Sequence, residues 1–275
     1  MQCQVTAVGL AADREHDVLG GNAGAILVFL KAYHLTGREQ YMAWAREAGD
    51  HLLGSATLYG HGMGWVNRPA GTALTGFAHG TAGIMLALAR LGHDAQEGRY
   101  LEAAYQAYRY EEHYYREELQ DWADLRGMGD ALQEEPRMAW CHGWGGIVMA
   151  RMEAEKYAEG AFKEELGKAR DYARRKVGDG SYRRTAFQKP DFCLCHGRCG
   201  NQVLLGHMGE VGNVMMARED AADEEKRVVD MICDGDIEEL LGLQECSNYG
   251  LMGGVAGIGY SCLCGSDKMF DLLCL

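Results

Sequence analysis

The residues with the clearest chemical potential sit in three copies of one short pattern. Ala139-Trp140-Cys141-His142-Gly143-Trp144-Gly145-Gly146 and Phe192-Cys193-Leu194-Cys195-His196-Gly197-Arg198-Cys199-Gly200-Asn201 share the order Cys-His-Gly. Gly76-Phe77-Ala78-His79-Gly80-Thr81-Ala82-Gly83 keeps the His and the glycines without the Cys. Thiolates and imidazoles are soft-to-borderline ligands that suit zinc, and three protein ligands with an open fourth position mark a catalytic zinc rather than a structural one. A lone Cys141 reads as packing and a lone buried His as a hydrogen-bonded core residue. Repetition of Cys-His-Gly at equivalent turns shifts the reading to metal, so the expectation is one zinc ion on which these copies converge.

The elements that must position these residues follow from a repeat. Five Gly-x-x-Gly units begin at Gly21, Gly80, Gly143, Gly197 and Gly254, spaced 54 to 63 residues apart, each leading into an apolar run. The runs Ala25-Ile26-Leu27-Val28-Phe29-Leu30 and Ile84-Met85-Leu86-Ala87-Leu88-Ala89 are apolar nearly all round, the mark of a helix buried on every side. Between them lie charged, amphipathic stretches at Arg38 to Leu53, Gly98 to Leu119, Lys163 to Val177 and Glu219 to Cys233. The stretches Leu58 to Thr75 and Gly178 to Lys189 read as loops. Each repeat is therefore an outer amphipathic helix plus an inner buried one, and such pairs stacked in a circle form an all-α double ring, an α/α toroid. No linker divides the chain, so one domain over residues 1–275 is expected.

Aligned on the first glycine of each unit, the preceding residue is Gly20, His79, His142, His196 and Gly253. The residue before that is Leu19, Ala78, Cys141, Cys195 and Met252. In a closed ring, equivalent positions face one axis, which would crowd Cys141, Cys195, His79, His142 and His196 at one end. α/α toroids also host glycosidases, but those place paired carboxylates at the centre. Here the equivalent positions carry Cys and His.

Composition bounds the partners. A formal net charge of −13 argues against nucleic acid, which needs a basic face. Arg174-Arg175-Lys176 with Arg183-Arg184 is a candidate groove for an acidic peptide, although a solvated helix end and loop is the plainer reading. Ten Cys behind a start that lacks a basic, apolar signal read as intracellular thiols rather than a disulfide framework. No apolar stretch approaches the length of a membrane span, and a cytoplasmic protein is expected.

At these residues the chain resembles the lanthionine synthetase C-like cyclases, with most similarity to the C-terminal cyclase domain of the bifunctional class II lanthipeptide synthetases. The resemblance runs from His16-Asp17-Val18-Leu19-Gly20-Gly21-Asn22-Ala23-Gly24 to Gly253-Gly254-Val255-Ala256-Gly257-Ile258-Gly259-Tyr260. Between them it takes in Gln120-Asp121-Trp122-Ala123-Asp124-Leu125-Arg126 and both Cys-His-Gly motifs. The resemblance implies zinc ligands at Cys141, Cys195 and His196, and acid–base residues at His79 and Asp17. It implies Michael-type addition of peptide Cys thiols to dehydroalanine or dehydrobutyrine, giving lanthionine or methyllanthionine rings. The implied partners are a dehydrated lanthipeptide precursor, leader plus core, and a dehydratase domain or subunit. Alternatives are addition of a small thiol such as glutathione, or a non-catalytic peptide-binding remnant. His142 reads as facing substrate or supporting the ligands, and Cys193 and Cys199 as packing. Trp144-Gly145-Gly146 departs from the family's Ala-Pro-Gly. Only five of the family's seven helical pairs are visible, so the domain is expected to lack the first pairs.

Overall fold

The computed structural model describes residues 7–67, 70–126, 138–178 and 192–210, and further short stretches at 222–223, 225–227, 229–230, 233–234, 250–254, 256–261 and 263. Arg183-Arg184, nearly all of the stretch Gly178 to Lys189, and parts of the stretch Glu219 to Cys233 lie outside the described residues. Contacts divide the chain into two compact units, one of residues 1–134 with 153–166 and one of 135–152 with 167–275.

The first unit opens with α1 (Ala7–Ala11), α2 (Asn22–Thr36) and α3 (Glu39–Ser55). Helix α2 starts directly at the first Gly-x-x-Gly turn and ends at Gly37, a left-handed residue (φ 65°) whose N–H closes on the Tyr33 carbonyl. That geometry costs glycine least, which is why the chain turns there. Helix α2 buries Ile26, Leu27, Phe29 and Leu30 against α3, which answers with Met42, Ala45, Ala48 and Leu52. Helices α4 (Thr81–Ala95) and α5 (Gly98–His113) repeat the arrangement. Residues 81–89 of α4 are all buried, so each of its large apolar side chains contributes about 1.5–3 kcal/mol. Helix α2 differs in one respect, because Val28 remains about half exposed (47%).

The expected pairing of inner and outer helices is present in the first unit. Helix α5 buries Tyr100, Ala103, Ala104, Ala107, Tyr108, Tyr110 and Glu111, with Tyr105 only half-buried. The small alanines let α5 approach α4 closely, so they take the contact face. The helix stops at His113, and Tyr115–Arg116 pairs as β5 with β6 (Asp121–Trp122). The stretch read as a plain loop contains two more hairpins, β1 (Thr57–Tyr59) with β2 (Gly62–Gly64), and β3 (Val66–Asn67) with β4 (Thr72–Ala73). The β1–β2 hairpin lies on α5, where a β-carbon at Gly62 would strike the Gln106 carbonyl and the Tyr110 backbone.

Helices α6 (Trp144–Ala154) and α7 (Gly160–Gly178) contribute residues to both units, and α8 (Arg198–Glu210) belongs to the second. In the second unit Ile147, Val148, Met149, Val203, Leu204 and Met208 are all buried. The Trp144 ring sits 6.0 Å from that of Tyr172 on α7. Residues 256–261 are helical, with Gly257 against Leu194. On α7, Arg174 pairs with Asp171 at 2.6 Å on the surface, and Lys176 is buried beside Tyr172. No described helix is long and apolar enough to cross a membrane.

Candidate functional site

The Gly-x-x-Gly turns are built on one plan. In four of them the last glycine lies against the carbonyl oxygen of the residue six positions earlier: Gly24 on Val18, Gly83 on Phe77, Gly200 on Leu194 and Gly257 on Leu251. A β-carbon at any of the four would overlap that oxygen, so the close approach requires glycine. The turns are then stitched to one another through equivalent backbone groups. In the first unit the Leu19 N–H donates to the Ala78 carbonyl (3.4 Å). In the second unit the Cys141 N–H donates to the Cys195 carbonyl (3.2 Å), and the Cys195 N–H to the Met252 carbonyl (2.9 Å). These are the positions two before the first glycine in each repeat, so within each unit the repeats present corresponding side chains side by side.

In the second unit this stitching brings Cys141, Cys195 and His196 together, with ligand-competent atoms within 4.8 Å of one another. It is the only such group among the described residues. Ligand atoms around a tetrahedral zinc lie roughly 3.5 Å apart, given metal–ligand distances near 2.0–2.3 Å, so small side-chain rotations would close the set on an ion. Cys141 is buried, while Cys195 and His196 are half-buried. Hydrogen bonding to Cys195 pulls the Cys141 thiol well below its ordinary range, and His196 and the charge of His142 act in the same direction against burial. A thiol so placed gives up its proton readily, which is what a metal ligand must do. Both the donor set and its spacing therefore fit a thiophilic metal ion. His142 is half-buried and acts on Cys141 through charge, outside the group of three. Cys193 and Cys199 are buried, form no disulfide and also lie outside it.

In the first unit His79 and Asp17 meet. His79 Nδ1 lies 2.7 Å from Asp17 Oδ2, and the Gly20 N–H donates to Asp17 Oδ1 at 2.8 Å. The Asp17 side chain is nearly fully buried (3% exposed), whereas that of His79 is half exposed (48%). An ionised carboxylate only accepts, so Nδ1 carries the proton and Nε2 becomes the proton-accepting nitrogen. The couple thus has the form of an acid–base pair with a buried orienting carboxylate.

The sequence reading missed a contributor here. Fully buried Glu111 on α5 accepts the N–H of Gly76 at 3.1 Å, anchoring the loop that leads to His79. Nothing in an amphipathic helix pattern distinguishes a glutamate that will turn inward from one that faces water.

Inner–outer helix pairs that start at glycine turns, with a dithiolate–imidazole group in one unit that could hold a metal and a His–Asp couple in the other, are the features by which the chain can be classed. The family model described as lanthionine synthetase C-like protein matches residues 6–268, and the chain belongs to that family. It is 25% identical over 258 residues to the lacticin 481/lactococcin biosynthesis protein LcnDR2 of Lactococcus lactis subsp. lactis. The match covers 89% of this chain and 24% of the relative, so the chain spans about a quarter of that protein's length. Among solved structures, nisin cyclase superposes with a TM-score of 0.68 at 17% identity, covering 95% of this chain and 67% of the other. That likeness establishes the fold as an α/α toroid.

Proposed function

We propose that this chain is a zinc-dependent peptide cyclase. In this reading it forms lanthionine or methyllanthionine rings by adding Cys thiols to dehydroalanine or dehydrobutyrine in a dehydrated precursor. The observation that carries the reading is the convergence of Cys141, Cys195 and His196 in a member of this family. A free thiol titrates near 8.5, so at neutral pH it is mostly protonated and a poor nucleophile. Zinc held by the three residues would supply Lewis acidity that keeps the substrate sulfur as a thiolate, and two thiolate ligands would offset the metal charge and preserve that sulfur's reactivity.

The rest is proton handling by the protein. The S–H bond breaks and an S–Cβ bond forms, the Cα=Cβ electron pair moves toward the carbonyl as an enolate, and Cα then gains a proton. One proton leaves sulfur and one arrives at carbon, so mass is unchanged. His79 Nε2 accepts or returns these protons, and Asp17 holds the ring and offsets its charge when protonated. The reading takes residues 1–275 as one cyclase domain, acting in the cytoplasm on a leader-plus-core precursor supplied by a dehydratase domain or subunit. The overall acidity is consistent with a peptide rather than a nucleic-acid partner.

The test is to measure zinc in the purified protein and incubate it with a dehydrated peptide bearing free Cys. Loss of free thiol at constant mass is expected. A gain of one thiol in mass when glutathione is supplied would mark the intermolecular alternative. Absence of metal, or thiol loss no faster than the uncatalysed rate, would overturn the cyclase.

A further inference from the structure

We infer that Asp13 is a positioning residue for the His79–Asp17 couple, setting the shape of the loop from which Asp17 reaches the imidazole. The inference rests on the proton-handling role proposed for that couple. Asp13 lies in the connection between α1 and α2, and its carboxylate gathers three backbone N–H groups. Oδ1 accepts from Glu15 at 3.0 Å, and Oδ2 accepts from His16 at 3.2 Å and from Asn22 at 2.8 Å. The first two close a local turn, while the third spans nine residues to the first residue of α2. One side chain thereby ties together the beginning and the end of the loop that carries Asp17.

That loop needs tying. His16, immediately before Asp17, has φ 63°, in the left-handed region that a non-glycine residue enters only at a cost. It is held there from both sides, with its N–H on Asp13 and its carbonyl accepting the Ala23 N–H at 3.1 Å. The Asp17 carbonyl in turn accepts the N–H groups of Gly21 (3.1 Å) and Gly24 (3.2 Å). Asn22 is itself fastened, its Nδ2 lying 2.9 Å from the Leu10 carbonyl and 3.1 Å from His51 Nδ1. With the backbone of Asp17 set by these bonds, its Oδ2 meets His79 at 2.7 Å. Only an ionised carboxylate offers acceptors on both oxygens, because an amide would turn an NH2 group toward one of the three donors. Loss of Asp13 frees three N–H groups, releases His16 toward an ordinary conformation and moves Asp17. Displacements on the order of 1 Å are enough to cost a large part of a catalytic arrangement.

The test reads His79 directly, in the full chain. Nitrogen NMR of histidine-labelled protein, with His79 assigned through His79→Gln, reports which ring nitrogen carries the proton. The wild type is expected to hold His79 as the Nδ1–H tautomer, and Asp13→Ala to shift it toward the Nε2–H form common in free histidine. With a dehydrated peptide, the same variant should lower kcat at least about tenfold with KM changed less than about twofold and zinc content unchanged. Should Asp13→Ala fail to fold, Asp13→Asn carries the same readout. A wild-type His79 signal in whichever variant folds overturns the inference. If the wild type forms no thioether while the tautomer still responds to Asp13, the cyclase reading fails and the positioning role stands.

Discussion

At Asp17 the two carboxylate oxygens have different partners: Oδ1 caps the Gly20 N–H and Oδ2 holds His79. Such a residue both shapes a turn and, in the proposed reading, orients a base, so the two contributions can be separated by substitution. Asp17→Asn retains the size and an acceptor for the turn but withdraws the charge facing Nδ1. Turnover should fall by about 10²–10⁴, the usual worth of a positioned acid–base group, with bound zinc unchanged. Single-turnover thiol loss and metal analysis on the same sample check this. The metal group should behave in the opposite way. Cys195→Ala and His196→Ala should each lose zinc as read by elemental analysis, while His79→Ala keeps zinc and loses turnover. Zinc retained by both ligand variants would remove Cys195 and His196 from the ligand set. The residue types were legible early, because Cys-His-Gly at repeated turns has few other uses. The contributions of Glu111 and Asp13 were not, since acidic residues in helices and loops are ordinary and only the fold shows which backbone donors they meet.

At the scale of elements, the turn is the working unit. Each last glycine of the four turns described above lets an inner helix start directly under the segment carrying the hub residues. Gly200→Ala would push a β-carbon onto the Leu194 carbonyl, next to Cys195. Overpacking of this kind costs roughly 1–3 kcal/mol and sometimes more. Denaturant unfolding should show the loss, and zinc affinity should weaken with it, because the displaced carbonyl directly precedes a proposed ligand. An element of a different kind is the β1–β2 hairpin, where His61 stacks on His113 of α5 with ring centroids 3.7 Å apart. Tyr59, Tyr110 and Tyr114 surround the pair. Burial, helped by the charges of His113 and Arg109, holds the His61 imidazole below its ordinary value of about 6.5. The unfolded chain then binds the proton more readily than the folded one. The contribution of His61 is therefore fully present above about pH 6.5 and declines as pH falls from there to the lower folded value. Melting between about pH 7.5 and about pH 5.5 should be less pH-sensitive in His61→Gln than in the wild type. Equal sensitivity in the two proteins would remove His61 as the source.

For the molecule as a whole, the group of three draws its side chains from separate repeats, Cys141 from one turn and Cys195 with His196 from the next. A metal bound only by the folded state adds stability by mass action, roughly 2.7 kcal/mol at a free concentration 100-fold above Kd. For a chain of this size that amounts to about 5–10 °C in Tm. Chelation should lower the melting temperature by that order in the wild type and leave Cys195→Ala unmoved; a chelator-insensitive wild type would contradict a bound metal. The sequence by itself determined the repeat, the alternation of inner and outer helices and the residue types at the hub. These follow from local periodicity and from glycines that no other residue can replace. It also carried His79 as a candidate through the repeat, whereas Asp17 and the acid–base role of both came through resemblance rather than physics. Only the tertiary structure decided that Asp17 meets His79 across 62 residues, that Cys141 joins Cys195 and His196 while His142 stays outside, and that α5 turns its alanines and Glu111 inward. It also decided that the stretch 57–73 pairs into hairpins on α5. The reason is common to all four. Each depends on which backbone groups distant segments present to one another, and those distances are set by helix packing rather than by the order of residues along the chain.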